Sequence, residues 1–195
     1  MQINWRLREL TLKIVYYGPA MSGKTTNLEQ IHSHVDPLKR SELLSLKTAG
    51  DRTLFFDFLQ LELGRIGTLT PKIQLYTVPG QTYYESCRKV VLKGADGVVF
   101  VVDSDVNRWG SNLESWKNLF KHLQSLRIPL ERTPIIVQFN KQDLPNAMSP
   151  EQLKKLLNLG NNAVVSAAAI RGEGVLDTFK LVTRNVMAQA QREMA

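Results

Sequence analysis

Hydrophobic positions along the chain follow two alternating rhythms. Short runs rich in β-branched and aromatic residues are followed by stretches whose apolar residues recur every three or four positions. This pattern predicts strands alternating with helices, and so an α/β fold with a mostly parallel central sheet flanked by helices. Leu10 to Tyr17 predicts a strand and Thr25 to Val35 the helix that follows. Thr53 to Leu63 and Lys72 to Val78 predict a strand pair joined around Gly64 and Gly67. Gly97 to Asp103 is nearly all apolar, as a strand buried on both faces requires, and Pro134 to Asn140 is expected beside it. Between them Leu113, Trp116, Leu119, Phe120 and Leu123 recur at helical spacing and read as core. Tyr83 to Leu92 reads as a further helical segment. A helix at Pro150 to Leu157, a strand at Ala163 to Ser166 and a helix from Val175 toward Ala190 complete the alternation. His34 to Ala49 follows neither rhythm and is expected to be a mobile connection.

Composition narrows this to one domain spanning 1–195, since 195 residues with 43% hydrophobic content suffice for one full core. The single cysteine, Cys87, excludes an internal disulfide framework and suits a reducing, cytoplasmic setting; it is expected to be buried. No apolar stretch approaches the roughly 20 residues of a membrane span. Met1 to Glu9 lacks the apolar core of a secretory signal, Gln2 is not a myristoylation glycine, and no prenylation cysteine stands at the other end. Direct membrane insertion is therefore not expected, and any membrane contact is indirect or electrostatic. The net charge of +7 is spread along the chain without a run of five like charges. A solvated mixed surface and no nucleic-acid partner are expected, with patches formed only by folding left open.

The strongest chemical signal is Gly18-Pro19-Ala20-Met21-Ser22-Gly23-Lys24-Thr25, two glycines separated by four residues and followed by Lys and Thr. A strand feeds this loop and a helix leaves it, so backbone N–H groups and the positive helix end converge on phosphate oxygens. Gly18, Ala20, Met21, Ser22, Gly23, Lys24, Thr25 and Thr26 are the candidate phosphate-binding residues, with the Thr25 hydroxyl also a ligand for Mg²⁺. About 115 residues later, Asn140-Lys141-Gln142-Asp143 ends a predicted strand. A carboxylate there accepts from the ring N–H and exocyclic amine of guanine, whereas adenine would leave it unpaired. Lys141 can lay its stem against the base and Asn140 can brace the loops. Ser166-Ala167-Ala168 is a weaker candidate, with the Ala167 N–H offered to the guanine carbonyl. His32, His34 and His122 have no ligand-like spacing.

These residues resemble the Ras-like small GTPases over nearly the whole chain. The bacterial MglA-type subgroup is suggested by Tyr16-Tyr17-Gly18-Pro19, by Ser22 to Asn27, by Asp51 to Phe58 and by Tyr76-Thr77-Val78-Pro79-Gly80-Gln81. The resemblance implies a switch that binds GTP or GDP with Mg²⁺, hydrolyses GTP slowly without an activator, and regulates bacterial polarity or motility from the cytoplasm, recruited to a cell pole. It implies a roadblock-fold MglB-type activator and downstream effectors as partners. It implies Thr53 as a second Mg²⁺ ligand, Arg52 as an intrinsic arginine finger, Gly80 as a backbone donor to the γ-phosphate, and Gln81 as the residue orienting the attacking water. Thr77 departs from the family, which usually has an aspartate there to support Mg²⁺. Asp57 and Asp103 are the carboxylates near enough in sequence pattern to compensate, each also readable as structural. The resemblance implies Thr77 to Gln81 as the second switch, and Tyr83 and Tyr84 offer a partner surface beside it. Thr77 keeps alive an alternative, a non-hydrolysing guanine-nucleotide module that signals by occupancy. An ATP-dependent small-molecule kinase is disfavoured by Asn140 to Asp143.

Overall fold

The computed structural model describes residues 1–47, 53–65, 67–80, 84–159 and 162–194, with the backbone alone for 46, 47 and 53–55. In chain order the elements are β1 (Gln2–Asn4), β2 (Glu9–Tyr17), α1 (Lys24–His34), β3 (Leu44–Lys47), β4 (Thr53–Glu62), β5 (Thr70–Thr77), α2 (Glu85–Leu92), β6 (Gly97–Asp103), α3 (Trp109–Ser125), β7 (Ile135–Asn140), α4 (Pro150–Leu157), β8 (Ala163–Ser166) and α5 (Val175–Met194). The strands form one sheet in the order β3-β4-β5-β2-β6-β7-β8. From β5 to β8 the neighbours are parallel, while β4 is antiparallel to β5 and β3 antiparallel to β4. The predicted hairpin across Gly64 and Gly67 is the β4–β5 pair.

The two-residue repeat of the strands sorts side chains into two cores. On β2, Leu10, Leu12, Ile14 and Tyr16 face α1 and α5, where Leu28, Ile31, Phe179, Val182 and Val186 meet them. Val15 and Tyr17 face the other layer with Val98, Phe100 and Val102 of β6, packed by Val91, Trp116, Leu119, Leu123, Leu153 and Leu157. All seven residues of β6 are buried, which explains its unbroken apolar run.

Two segments depart from expectation. His34 to Ala49, expected to be a mobile connection, contains a 3-10 turn at Pro37–Lys39 and the edge strand β3 within its described part. Its aperiodicity reflects an edge strand with one exposed side, as at Leu44, which needs no regular apolar alternation. Met1 to Glu9 contains β1, which pairs antiparallel with Glu9 to Thr11 of β2. Since β6 joins β2 only from Ile14 onward, β1 fills the sheet position below the start of β6. Cys87 is half-buried on α2 rather than in the core.

Candidate functional site

The parallel strands β2, β5, β6, β7 and β8 all end at one pole of the sheet, and the sequence-predicted motifs gather there. The loop after β2 enters α1 through Gly23, whose φ of 95° is left-handed. A Cβ on Gly23 would lie 2.2 Å from Asn140 Nδ2, so both the backbone twist and the space demand glycine. No side chain caps α1 and no acidic residue stands in its first turn. By contrast α4 carries a full capping box from Ser149 and Gln152. The N–H groups at the start of α1 thus keep their positive field for an anion.

Lys24 is buried, and its ammonium donates to the carbonyls of Gly18 at 3.1 Å and Pro19 at 2.6 Å. Burial pushes its pKa down to about 7, an effect opposed by the Asp57 carboxylate and reinforced by Arg88. Ser22 Oγ is buried without a hydrogen-bond partner among the described residues. Met21 is exposed, with a left-handed φ of 62°, and Lys141 in the second loop has a φ of 67°. Such non-glycine conformations are costly and concentrate where a loop is shaped for a ligand.

Asp57 lies opposite Thr77 across β4 and β5, fully buried. Its Oδ2 accepts from Thr25 Oγ1 at 2.6 Å and Thr77 Oγ1 at 2.7 Å, and its Oδ1 accepts from Ser45 Oγ. Thr77 Oγ1 in turn accepts from the Asp57 N–H at 2.8 Å. A carboxylate and three hydroxyls form the all-oxygen set that suits a hard dication such as Mg²⁺. Gly80 follows directly; a Cβ there would lie 2.3 Å from Ala20 Cα, so the second-switch backbone sits against the phosphate loop.

Asp103 occupies a different place. Its Oδ2 takes the Lys141 ammonium at 2.7 Å and lies 3.7 Å from Arg108 Nε, while Arg108 Nη2 donates to the Ala20 carbonyl at 2.9 Å. Of the two carboxylates left open by the sequence, Asp57 faces Thr25 and Thr77, and Asp103 ties the base loop to the phosphate loop. Asn140 is buried; its Nδ2 donates to the Ser22 carbonyl at 2.8 Å, and its Oδ1 accepts from the Ala169 N–H at 2.8 Å. Asp143 is half-buried, with no hydrogen-bond partner among the described residues.

The loop after β8 holds the weaker base-contact candidate. The Ala167 N–H donates to the Phe139 carbonyl at 2.8 Å, continuing the β7–β8 ladder, and the Ala168 N–H donates to Glu173 at 3.0 Å. Both N–H groups are engaged within the fold. Arg52, Gln81 and Tyr83 lie outside the described residues, and of Thr53 only its backbone place at the start of β4 is described. Ser45 and Arg108 carried no sequence signal, since Ser45 sits in the aperiodic stretch and Arg108 meets Ala20 only through the fold.

Asn140 and Asp103 join the glycine-rich loop to the loop after β7 in the layout expected of a nucleotide site, and comparison with known proteins identifies the lineage. Residues 3–186 match the model of the ADP-ribosylation factor family. The chain belongs to this family of small GTPases. It is 46% identical over 190 residues to "Mutual gliding-motility protein MglA" of Myxococcus xanthus, covering 97% of both chains. It is 30% identical over 159 residues to ADP-ribosylation factor-like protein 14 of Mus musculus, covering 72% of this chain and 81% of that one. The solved structure of the Arl6 BBS3 small GTPase from Trypanosoma brucei, with bound nucleotide analogue GppNp, superposes with a TM-score of 0.69. That match covers 92% of this chain at 24% identity and establishes the shared fold. Members of the family are GTPases, and GTP, GDP and Mg²⁺ are its general ligands.

Proposed function

We propose that this small GTPase binds GTP and GDP with Mg²⁺, hydrolyses the γ-phosphate, and switches bacterial polarity or motility through nucleotide-dependent partners. The observation that carries the nucleotide reading is the Asn140 bridge, which holds Ser22 of the phosphate loop and Ala169 of the last loop at 2.8 Å each. This side chain, with the Lys141–Asp103–Arg108 link, sets the distance between base and phosphate sites. Lys24 and the uncapped start of α1 receive the phosphates, and Asp143 with Lys141 receives guanine. With the Ala167 N–H committed elsewhere, base selection rests on the Asp143 carboxylate.

Thr25, Asp57 and Thr77, joined by Thr53, would hold Mg²⁺, which when bound neutralises developing phosphate charge. Asp57 supplies from β4 the carboxylate that Thr77 lacks on β5. With that carboxylate at hand, hydrolysis is favoured over a non-hydrolysing module. Gln81 orients the attacking water, and Arg52 brings a guanidinium to the transferring phosphoryl group, a contribution of roughly 10³ to 10⁵ in rate. The role in motility is supported by the likeness to the Myxococcus gliding-motility protein, and a roadblock-fold activator of the MglB type and recruitment to a cell pole belong to the same proposal.

The test is a single-turnover assay on Gln81→Leu. The variant is expected to bind GTP as tightly as the wild type, with ATP failing to compete, and to lose most hydrolysis. Hydrolysis at the wild-type rate would remove Gln81 from the mechanism, and effective competition by ATP would remove the guanine assignment.

A further inference from the structure

The β1–β2 hairpin is absorbed by neither the nucleotide site nor the core. Its turn is Trp5-Arg6-Leu7-Arg8, with Trp5 72% and Leu7 60% exposed and both arginines exposed between and beside them. The turn is ordered: the Leu7 N–H donates to Asn4 Oδ1 at 3.1 Å, and the Thr70 N–H donates to the Arg8 carbonyl at 2.8 Å. Among the described residues neither arginine makes an ion pair. Two large apolar side chains held in water beside two free guanidinium groups call for a surface that is anionic and apolar together.

The rest of this pole has the same sign. Because β2 runs toward the phosphate loop, a turn before Glu9 lies at the opposite end of the sheet. Arg65 stands in the β4–β5 turn, which leads to Thr70 opposite Glu9, and Lys93, Arg127 and Arg132 line an open cleft with Met1. Of the nearby acids, Glu9 is bridged to Lys72 at 2.6 Å and Asp96 holds the Met1 amino group. Glu62, Glu131 and Glu193 remain against six cations. Charges scattered in the sequence therefore converge at the pole farthest from the nucleotide.

We infer that this hairpin is a peripheral docking tip for an anionic lipid surface. Tryptophan favours the headgroup level of a bilayer, leucine the apolar boundary just beneath it, and arginines meet the lipid phosphates. A convex four-residue turn is too narrow for a stable protein interface, which needs roughly 800 Å² per partner, whereas a fluid bilayer closes around a narrow tip. Docking there turns the nucleotide pole and its switches away from the membrane, toward cytoplasmic partners. The contact does not depend on which nucleotide the opposite pole takes.

The full chain is mixed with vesicles of phosphatidylcholine alone and vesicles of equal parts phosphatidylglycerol and phosphatidylcholine. Cosedimentation is expected only with the anionic vesicles and is expected to reverse in high salt. Tryptophan emission should shift to the blue, and Trp5→Phe should abolish that shift. Trp5→Ser with Leu7→Ser, and separately Arg6→Glu with Arg8→Glu, should each weaken binding by about tenfold or more. Guanine-nucleotide affinity, measured on the same variants, should stay at the wild-type value and so certify their folding. Failure of the wild type to bind anionic vesicles, equal binding to neutral ones, or unaltered binding by both variants overturns the inference. So does Trp5-dependent binding of polyglutamate or duplex DNA without vesicle binding, which would give the tip to an acidic macromolecule.

Discussion

Lys24 shows how one residue records the ligand its surroundings are built for. Held among carbonyls in a buried loop, its ammonium falls from 10.5 to about 7 because desolvation outweighs the attraction of Asp57. Between those values the nucleotide-free fold binds fewer protons than the unfolded chain, so stability rises with pH through this window and the penalty is fully present below it. Bound phosphates restore the charge. Calorimetry in buffers of different ionisation enthalpy should therefore read uptake approaching one proton per nucleotide at about pH 8.5, falling toward none at about pH 6. Zero uptake at the higher pH would mean that Lys24 is already charged in the free protein. Asp57 makes a second residue-scale prediction. Asp57→Asn keeps the shape but removes the charge facing Thr25 and Thr77, so Mg²⁺ should retain bound nucleotide about tenfold less well. Fluorescent GDP release followed against Mg²⁺ concentration checks this. Asp103→Asn should leave that Mg²⁺ dependence unchanged, since Asp103 anchors Lys141 and Arg108 instead.

Between elements, a histidine assigned no chemistry from the sequence turns out to join three of them. His122 of α3 is 2% exposed; the Tyr17 hydroxyl, at the end of β2, donates to its Nδ1 at 3.0 Å. Its Nε2–H donates to Glu85 Oε1, at the start of α2, at 3.3 Å. A neutral imidazole with the proton on Nε2 satisfies both partners. Burial lowers the His122 pKa, with Arg88 and Lys89 acting in the same direction and Glu85 opposing them. Stability from this contact is present above 6.5 and is lost as pH falls through the lowered folded value, because the new proton on Nδ1 displaces the Tyr17 donor. Amide exchange over Glu85 to Leu92, corrected for intrinsic rates, should accelerate as pH falls below 6.5. His122→Phe should abolish the pH dependence, and its persistence in that variant would exclude His122 as the titrating group. Since α2 directly follows the second switch, this junction bears on how that segment is held.

The whole molecule is tied across its layers by a buried polar chain. Asn27 of α1 and Gln138 of β7 exchange hydrogen bonds at 2.9 and 2.8 Å, and Gln138 also donates to Thr178 of α5 at 2.9 Å. Removing the middle member takes the donor from Asn27 Oδ1 and one donor from Thr178 Oγ1, while Asn27 Nδ2 still donates to the Gly23 carbonyl and Thr178 Oγ1 to the Gly174 carbonyl, so Gln138→Leu should lower unfolding stability by about 2 kcal/mol in urea titrations. A loss below about 1 kcal/mol would show that the network contributes orientation rather than stability. At the same scale the net charge of +7 acquires a direction, since cations remote in sequence share the pole beneath the hairpin.

The sequence by itself determined the alternation of layers, the phosphate loop and the base-reading loop. Each is encoded in neighbouring residues, through the two-residue and 3.6-residue periods and through the fixed spacing of glycines ahead of Lys24. Strand β3 escaped because an edge strand can leave one face wet, and β1 because three residues are too few to show a period. The partner of the Ala167 N–H was not legible, because only strand register decides which backbone donors are spent in a ladder. Tertiary structure alone decided which carboxylate stands beside Thr77, what Asn140 braces, what Arg108 touches and where the surplus charge collects. Those relations join residues tens of positions apart. They exist only after β4 has paired with β5 and the loops have closed over one end of the sheet.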